Sequence, residues 1–348
     1  SFCGMFVYSF GLILNRVPLP EFHLVVQIIA LTIIQAIVMV AGAVVVSSQA
    51  TSVKAANLLA SFIIIPMALL IQGESIVMFW GNYATLWWVV FGLFVLSILL
   101  LRVGLAHFSR EELLGREIDV LNIKWGWKLF KSEFFGKATN LWNWYQKEVF
   151  GTLLEQKFSI LFMFIVVIIS IFIGAGQTSK FSLPLDQLGV EDMEERIATL
   201  SESWSVGNFS PVFLVFRQNM RVILISFVLG VISMGIFGIL PLIASMGLVG
   251  YIMAILGDVG INPINYFVGF ILPHGIFEIL ALIISTAAIF HLGVVLAVPN
   301  QSNTIGEVWI LSIAKWAKLM IGLVIPIILI ASMIEAWLTP KIALWFLF

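Results

Sequence analysis

Pro273-His274-Gly275-Ile276-Phe277-Glu278 is the segment of this chain best equipped for chemistry. An imidazole and a carboxylate four residues apart share one face of a helix. Both stand in a long apolar run, Tyr266–Val298, that holds no other Asp, Glu, Lys or Arg. An ionisable group in such a run is costly, and it faces protein or a water-filled cavity. Two readings follow. The pair is a polar site for passage of ions or solutes, or it is a buried lock between helices. Pro273 suits a first helical turn, where its missing N–H costs nothing. This predicts a short re-entrant piece before Pro273 and a full helix after it, sheltered among neighbouring helices. A second polar group, Arg217-Gln218-Asn219-Met220-Arg221, is read as a helix start. Its arginines either snorkel to the interface or, with Asn219, partner Glu278 or Glu335. No other chemistry has its residues. The chain lacks a G-x-x-x-x-G-K-[ST] phosphate loop, H-E-x-x-H and G-x-S-x-G. Its histidines, His23, His107, His274 and His291, have no close metal-ligand spacing, and Cys3 is its single cysteine. The expectation is a non-enzyme with no metal and no cofactor.

The elements that must position these residues are membrane helices. Of 348 residues 61% are hydrophobic and 11% charged, and the mean hydropathy is +1.09. Soluble domains carry about 25% charged residues, so this surface needs lipid. The net charge of −1 gives no pull toward nucleic acid. Runs near bilayer length fall at Leu24–Val46, Ala55–Gln72, Tyr83–Leu101 and Phe158–Gly176. Val222–Leu256 is too long for one crossing and is split near Gly238–Pro241. Tyr266–Val298 and Trp309–Leu338 follow. With Ser1–Asn15 read as the end of a truncated helix, the fold class is an all-α polytopic bundle of about nine spans, some Pro-broken or re-entrant.

Two polar stretches set the orientation. Arg102–Lys157 carries nine Lys/Arg, and Gln177–Pro211 carries six acids against two Lys/Arg. The positive-inside rule puts the first in the cytoplasm and the second outside. Glu21 and Glu74 then fall outside, and nine crossings leave Phe348 outside. Trp125, Trp127, Trp142 and Trp144 beside Lys124, Lys128 and Lys147 suit helices lying in the headgroup region, or docking a cytoplasmic partner. The chain divides into transmembrane helices over 1–106, an amphipathic linker over 107–157, and a second transmembrane region over 158–348 with an outer loop at 177–211. Small residues four apart, Ser226/Gly230 and Ala281/Ser285, would let helices approach closely.

From about Gly151 to Phe348 the chain resembles stage II sporulation protein M and its relatives. Asn219 with Arg221, the Gly-rich helices after them, Pro273-His274-Gly275 with Glu278, and Ile334-Glu335-Ala336-Trp337-Leu338-Thr339-Pro340 carry the resemblance. It departs at Ser245-Met246-Gly247-Leu248-Val249-Gly250, where the family tends to show Asn at the position of Met246. More diffusely, the front resembles the last helices of a type-2 ABC transporter permease, through Ser48–Pro66 with Ser52, Lys54, Ala55 and Ala56, and through Phe108-Ser109-Arg110-Glu111-Glu112-Leu113-Leu114-Gly115. Sporulating members of the first family act in the membrane complex that remodels peptidoglycan during engulfment. The second resemblance implies a P-loop ATPase partner. Together they imply a multi-pass protein of the cytoplasmic (inner) membrane, the membrane subunit of an ATP-driven export or envelope-remodelling system. The alternative is a non-transporting scaffold that recruits envelope enzymes through its outer loop. The expected partners are membrane lipid, an ATPase subunit, envelope enzymes and further copies of the chain.

Overall fold

The computed structural model describes residues 21–49, 83–107, 123–178, 193–233, 235–258, 261–297 and 305–347, with Phe10, Leu14 and scattered positions between 64 and 78. It divides into two units, Ser1–Asp119 and Val120–Phe348. Among the described residues seven helices are long and apolar enough to cross a membrane. They match seven of the nine expected spans. The other two, Ser1–Asn15 and Ala55–Gln72, fall almost wholly outside the described residues.

In the first unit α1 (Phe22–Gln49) packs against α2 (Tyr83–His107). Their starts lie side by side, because Gln27 Nε2 donates to the Tyr83 carbonyl at 2.8 Å, so the two run parallel. Glu74, expected outside with Glu21, is instead buried, and Gln35 in the middle of α1 donates to its carboxylate at 2.7 and 2.8 Å. A carboxylate on an apolar helix needs such a donor.

The second unit opens with α3 (Ile123–Phe135) and α4 (141–155), then α5 (Lys157–Ala175). After the expected outer loop come α6 (Met193–Ser203), α7 (Phe209–Ile232), α8 (Leu240–Asp258), α9 (263–297), α10 (305–337) and α11 (Thr339–Leu347). Helix α9 is central. Ala281, Ile284 and Ala288 join a core with Ile223 of α7 and Val324 and Ile328 of α10. Ile283 and Ala287 join another with Met163 and Val167 of α5 and Leu242 and Met246 of α8. Phe158, Phe164, Ile169 and Phe172 on the far face of α5 are exposed, as lipid-facing residues are.

Helices α5 and α8 approach backbone to backbone. A Cβ on Gly174 would fall 1.8 Å from the Gly247 carbonyl oxygen, and one on Gly250 would fall 2.0 Å from that of Ile171. Apolar lipid gives no hydrophobic drive to helix association, so small residues and close packing supply it. The segment that departs from the sporulation-protein pattern at Met246 is therefore a packing face, with Met246 buried in it. The small pairs Ser226/Gly230 and Ala281/Ser285 also face inward: Ser226, Ala281 and Ser285 are at most 2% exposed, and a Cβ on Gly230 would fall 2.0 Å from a methyl of Ile289.

Three expectations shift. The arginine-bearing group is not a helix start. Helix α7 begins at Phe209, where the Asn208 side chain accepts from Ser210 N at 3.1 Å. The chain leaves α7 after Ile232 and enters α8 at Leu240, so the break includes Gly238 but begins before the expected Gly238–Pro241. There Gly235 takes φ 87°, which other residues avoid, and Pro241 sits in the first turn of α8. Pro273 breaks nothing. The helix runs unbroken from 263 to 297 through a π-turn at Phe267–Ile271. Helix α10 repeats the device, with a π-turn at Met320–Val324 before Pro326. In both, a buried glycine, Gly269 or Gly322, stands four residues before the proline. A proline ring collides with the carbonyl four residues back, and the widened turn moves that carbonyl aside.

Of the stretch expected to rest on the membrane as a linker, the described part, 123–155, packs onto the helices of the second unit. Phe134 and Trp144 enter its core, and Trp144 Nε1 donates to the Phe134 carbonyl at 2.7 Å. Lys318 of α10, 2% exposed, lies 3.2 Å from Glu148 and 3.6 Å from Glu133, so one cation fastens α3 and α4 to α10. Trp125, Trp127 and Trp142 stay exposed.

Candidate functional site

Three helices and one short segment converge on the polar cluster. His274 and Glu278 come from α9, one turn apart as their spacing requires. Glu335 comes from the last turn of α10, Thr339 from the start of α11, and Asn219 from the middle of α7. A ring nitrogen of His274 and carboxylate oxygens of Glu278 and Glu335 lie within 4.8 Å of one another. The carboxyl groups of Glu278 and Glu335 are thus neighbours across α9 and α10. Asn219 Nδ2 donates to Glu278 Oε1.

The Thr339 hydroxyl donates to the Ile334 carbonyl at 3.2 Å. Its oxygen then accepts, and His274 Nδ1 lies 3.1 Å away. A neutral ring that gives Nδ1–H to that oxygen keeps its lone pair on Nε2. Two carboxyls this close, in a site of low polarity, need one shared proton or one cation between them.

Glu335 and Thr339 place the cluster near the C-terminal end of α10. At that end Trp337 Nε1 donates to the Asn208 carbonyl at 3.0 Å, and the Trp337 and Phe209 rings meet edge to face at 5.1 Å. Helical rise puts Glu335 about 3 Å and Asn219 about 15 Å below that level. The opposite end is marked by Lys315 and Glu155, 2.6 Å apart. The first half of α10 thus lies beside the end of α4, where the basic stretch closes, and the last turn of α10 lies beside the start of α7, which follows the acidic loop. The cluster is on the acidic-loop side.

The sequence placed His274 and Glu278 correctly together and named Asn219 and Glu335 as partners. Arg217 and Arg221 do not join them. Both are exposed on the other face of α7, lining a groove of about 490 Å³ with Leu224, Ile225 and Val228, and neither forms an ion pair with Glu278 or Glu335. Pro273 shapes the helix and contributes no polar atom. Gly275 is buried, and a Cβ there would meet only Ile271 and Ile279 of its own helix. Thr339 was missed as a site residue, although it stands in the closing segment. Its hydroxyl reaches a histidine 65 residues away, which spacing does not reveal.

The family model of stage II sporulation protein M matches residues 159–340, more than half of the chain. This span contains every residue of the cluster. An uncharacterized protein of Methanocaldococcus jannaschii is 27% identical over 203 residues, covering 57% of this chain and 88% of that protein. No solved structure matches the chain.

Proposed function

Since this chain belongs to the stage II sporulation protein M family, and is a multi-pass membrane protein, we propose that it is the membrane subunit of an ATP-driven export or envelope-remodelling assembly in the cytoplasmic membrane. One observation carries the reading. Lys318, which fastens the α3–α4 platform, and Glu335, in the polar cluster, stand on one continuous helix. A partner that moves the platform would move the cluster about 25 Å away along the same helix. The platform presents exposed Lys124, Trp127, Lys128 and Lys131 on the side expected to be cytoplasmic. The chain has no phosphate loop of its own, so in this reading ATP hydrolysis belongs to a partner. The test is purification of the tagged chain from its native membrane. A P-loop ATPase should co-purify, and Trp127→Ala with Lys128→Glu should release it while the chain stays folded. An ATPase-free preparation, in mild detergent and after cross-linking, would refute the reading.

The scaffold alternative has its own support. Helix α6 is tied down by buried Ile197 and packs against α11, while Glu194, Glu195 and Glu202 remain exposed. Deleting Gln187–Glu202 should then abolish recruitment of envelope enzymes and spare membrane insertion. Recruitment that survives the deletion counts against it.

A further inference from the structure

We propose that His274, Glu278 and Glu335 form a binding site for a divalent transition-metal ion of the zinc class in the outer half of the membrane region. The proposal concerns the chain alone and does not depend on an ATPase partner.

The donor set fits the ion. Imidazole nitrogen and carboxylate oxygen are two of the three ordinary zinc ligands, and three protein donors with a fourth open position are a recurrent arrangement. Zinc bonds of about 2.0–2.2 Å put tetrahedral donors about 3.4 Å apart. The three atoms here already lie within 4.8 Å of one another. The remaining contraction is within reach of side-chain torsions, because all three residues are partly exposed rather than wedged in a core.

The surroundings fit as well. Metal-binding histidines commonly donate their other ring N–H to an oxygen, which fixes the tautomer. The Thr339 hydroxyl lies 3.1 Å from His274 Nδ1, where such an acceptor would stand if Nε2 binds the ion. A ligating carboxylate is commonly held by a further donor, and Asn219 holds Glu278. Charge gives a third reason. A neutral imidazole, two carboxylates and a dication sum to zero, the least costly total in a medium of low polarity. Among the described residues no cationic side chain supplies that balance, since the neighbouring arginines face away. Mg²⁺ and Ca²⁺ are poorer candidates. They take six or more oxygen ligands, mostly carboxylate, carbonyl and water.

The experiment uses the full chain in detergent, freed of metal by a chelator and then titrated with Zn²⁺ and with Co²⁺. One equivalent of Zn²⁺ should bind, raise the melting temperature and resist competition by excess Mg²⁺. Co²⁺ should give the intense visible bands of a four- or five-coordinate nitrogen–oxygen site. Glu335→Gln should weaken Zn²⁺ binding by at least tenfold. Thr339→Val, a change of nearly equal volume, should weaken it by about 10-fold or more through loss of the Nδ1 acceptor. Glu155→Gln, at the opposite end, should change nothing. If Glu335→Gln does not fold, the Co²⁺ spectrum of the unaltered chain and the Thr339→Val affinity decide. A folded chain that takes up no stoichiometric Zn²⁺, a Co²⁺ spectrum like that of the hydrated ion, or a Zn²⁺ affinity unmoved by Glu335→Gln or by Thr339→Val would overturn the site. The cluster would then be a carboxyl pair sharing a proton.

Discussion

Replacing Gly250 by alanine tests the α5–α8 interface where the two backbones nearly touch. The added Cβ would fall 2.0 Å from the Ile171 carbonyl oxygen and 2.8 Å from its carbonyl carbon. These are backbone atoms and cannot rotate aside. A tolerable contact needs about 3.2 Å, so the helices must part by about 1.2 Å. A gap of 0.5–1 Å already forfeits a quarter to a half of each dispersion contact. The loss extends along an interface that includes Met163, Val167, Leu242 and Met246. We expect a destabilisation of about 2–3 kcal/mol, at the upper end for overpacking. Gly174→Ala, 1.8 Å from the Gly247 oxygen, should behave alike. The double variant should cost less than the sum, because the helices need part only once. Gly247→Ala is the control. Its Cβ would meet the Ser170 oxygen at an ordinary 3.6 Å, and it should be neutral or slightly stabilising. Thermal unfolding in one detergent, read by tryptophan fluorescence, ranks the four. Equal melting temperatures for Gly250→Ala and Gly247→Ala would refute the close approach.

Lys318→Met should cost about 3 kcal/mol, the low end for breaking a buried ion pair, because Glu133 and Glu148 keep 27% and 21% exposure; limited proteolysis should then cut between α3 and α5, and an uncut platform would refute the clamp. Glu278→Gln should keep the fold, since an amide still pairs with Asn219 and Glu335, whereas Glu278→Leu should cost about 1–3 kcal/mol by stranding them; equal stability of the two would show that the carboxylate's bonds do not matter. In a chain whose Cys3 is replaced, a cysteine at Gln146 should label from the cytoplasm and one at Gln187 from the exterior, and the reverse pattern would overturn the charge-based orientation.

The spans were legible because lipid leaves each of them a long run without charge. Their edges were less so. Helix α7 reaches back past Arg217 and Arg221 to Asn208, because arginines on a lipid-facing surface do not end a helix whose first donors are capped. Pro273 reads as a break, but a glycine four residues earlier lets the chain widen and continue, as it also does before Pro326. That Gly-x-x-x-Pro repeat was present in the sequence and is the signal that would have shown it. His274 and Glu278 were legible as a pair because helical spacing alone brings them together. The rest of the cluster was not. Asn219 meets Glu278 across 59 residues, and Thr339 meets His274 across 65. Those meetings depend on how α7, α10 and α11 pack around α9. Lys318 gave no sign either, since a lysine in the first half of an apolar helix looks like an interfacial anchor until Glu133 and Glu148 are folded over it.

The two π-turns also govern where this chain tolerates a change of length. Removing one residue from the regular part of α10 between Lys318 and Glu335 would turn everything beyond it by about 100°. Glu335 would leave the cluster and Trp337 would leave Phe209. Within Met320–Val324 the same deletion removes the residue that widens the turn, and both flanking halves keep their phase. The cost there is local: the ring of Pro326 returns against the carbonyl four residues back and bends the helix. Insertions and deletions among homologous chains should therefore gather at 267–271 and 320–324, accompanied by loss or gain of the proline that follows.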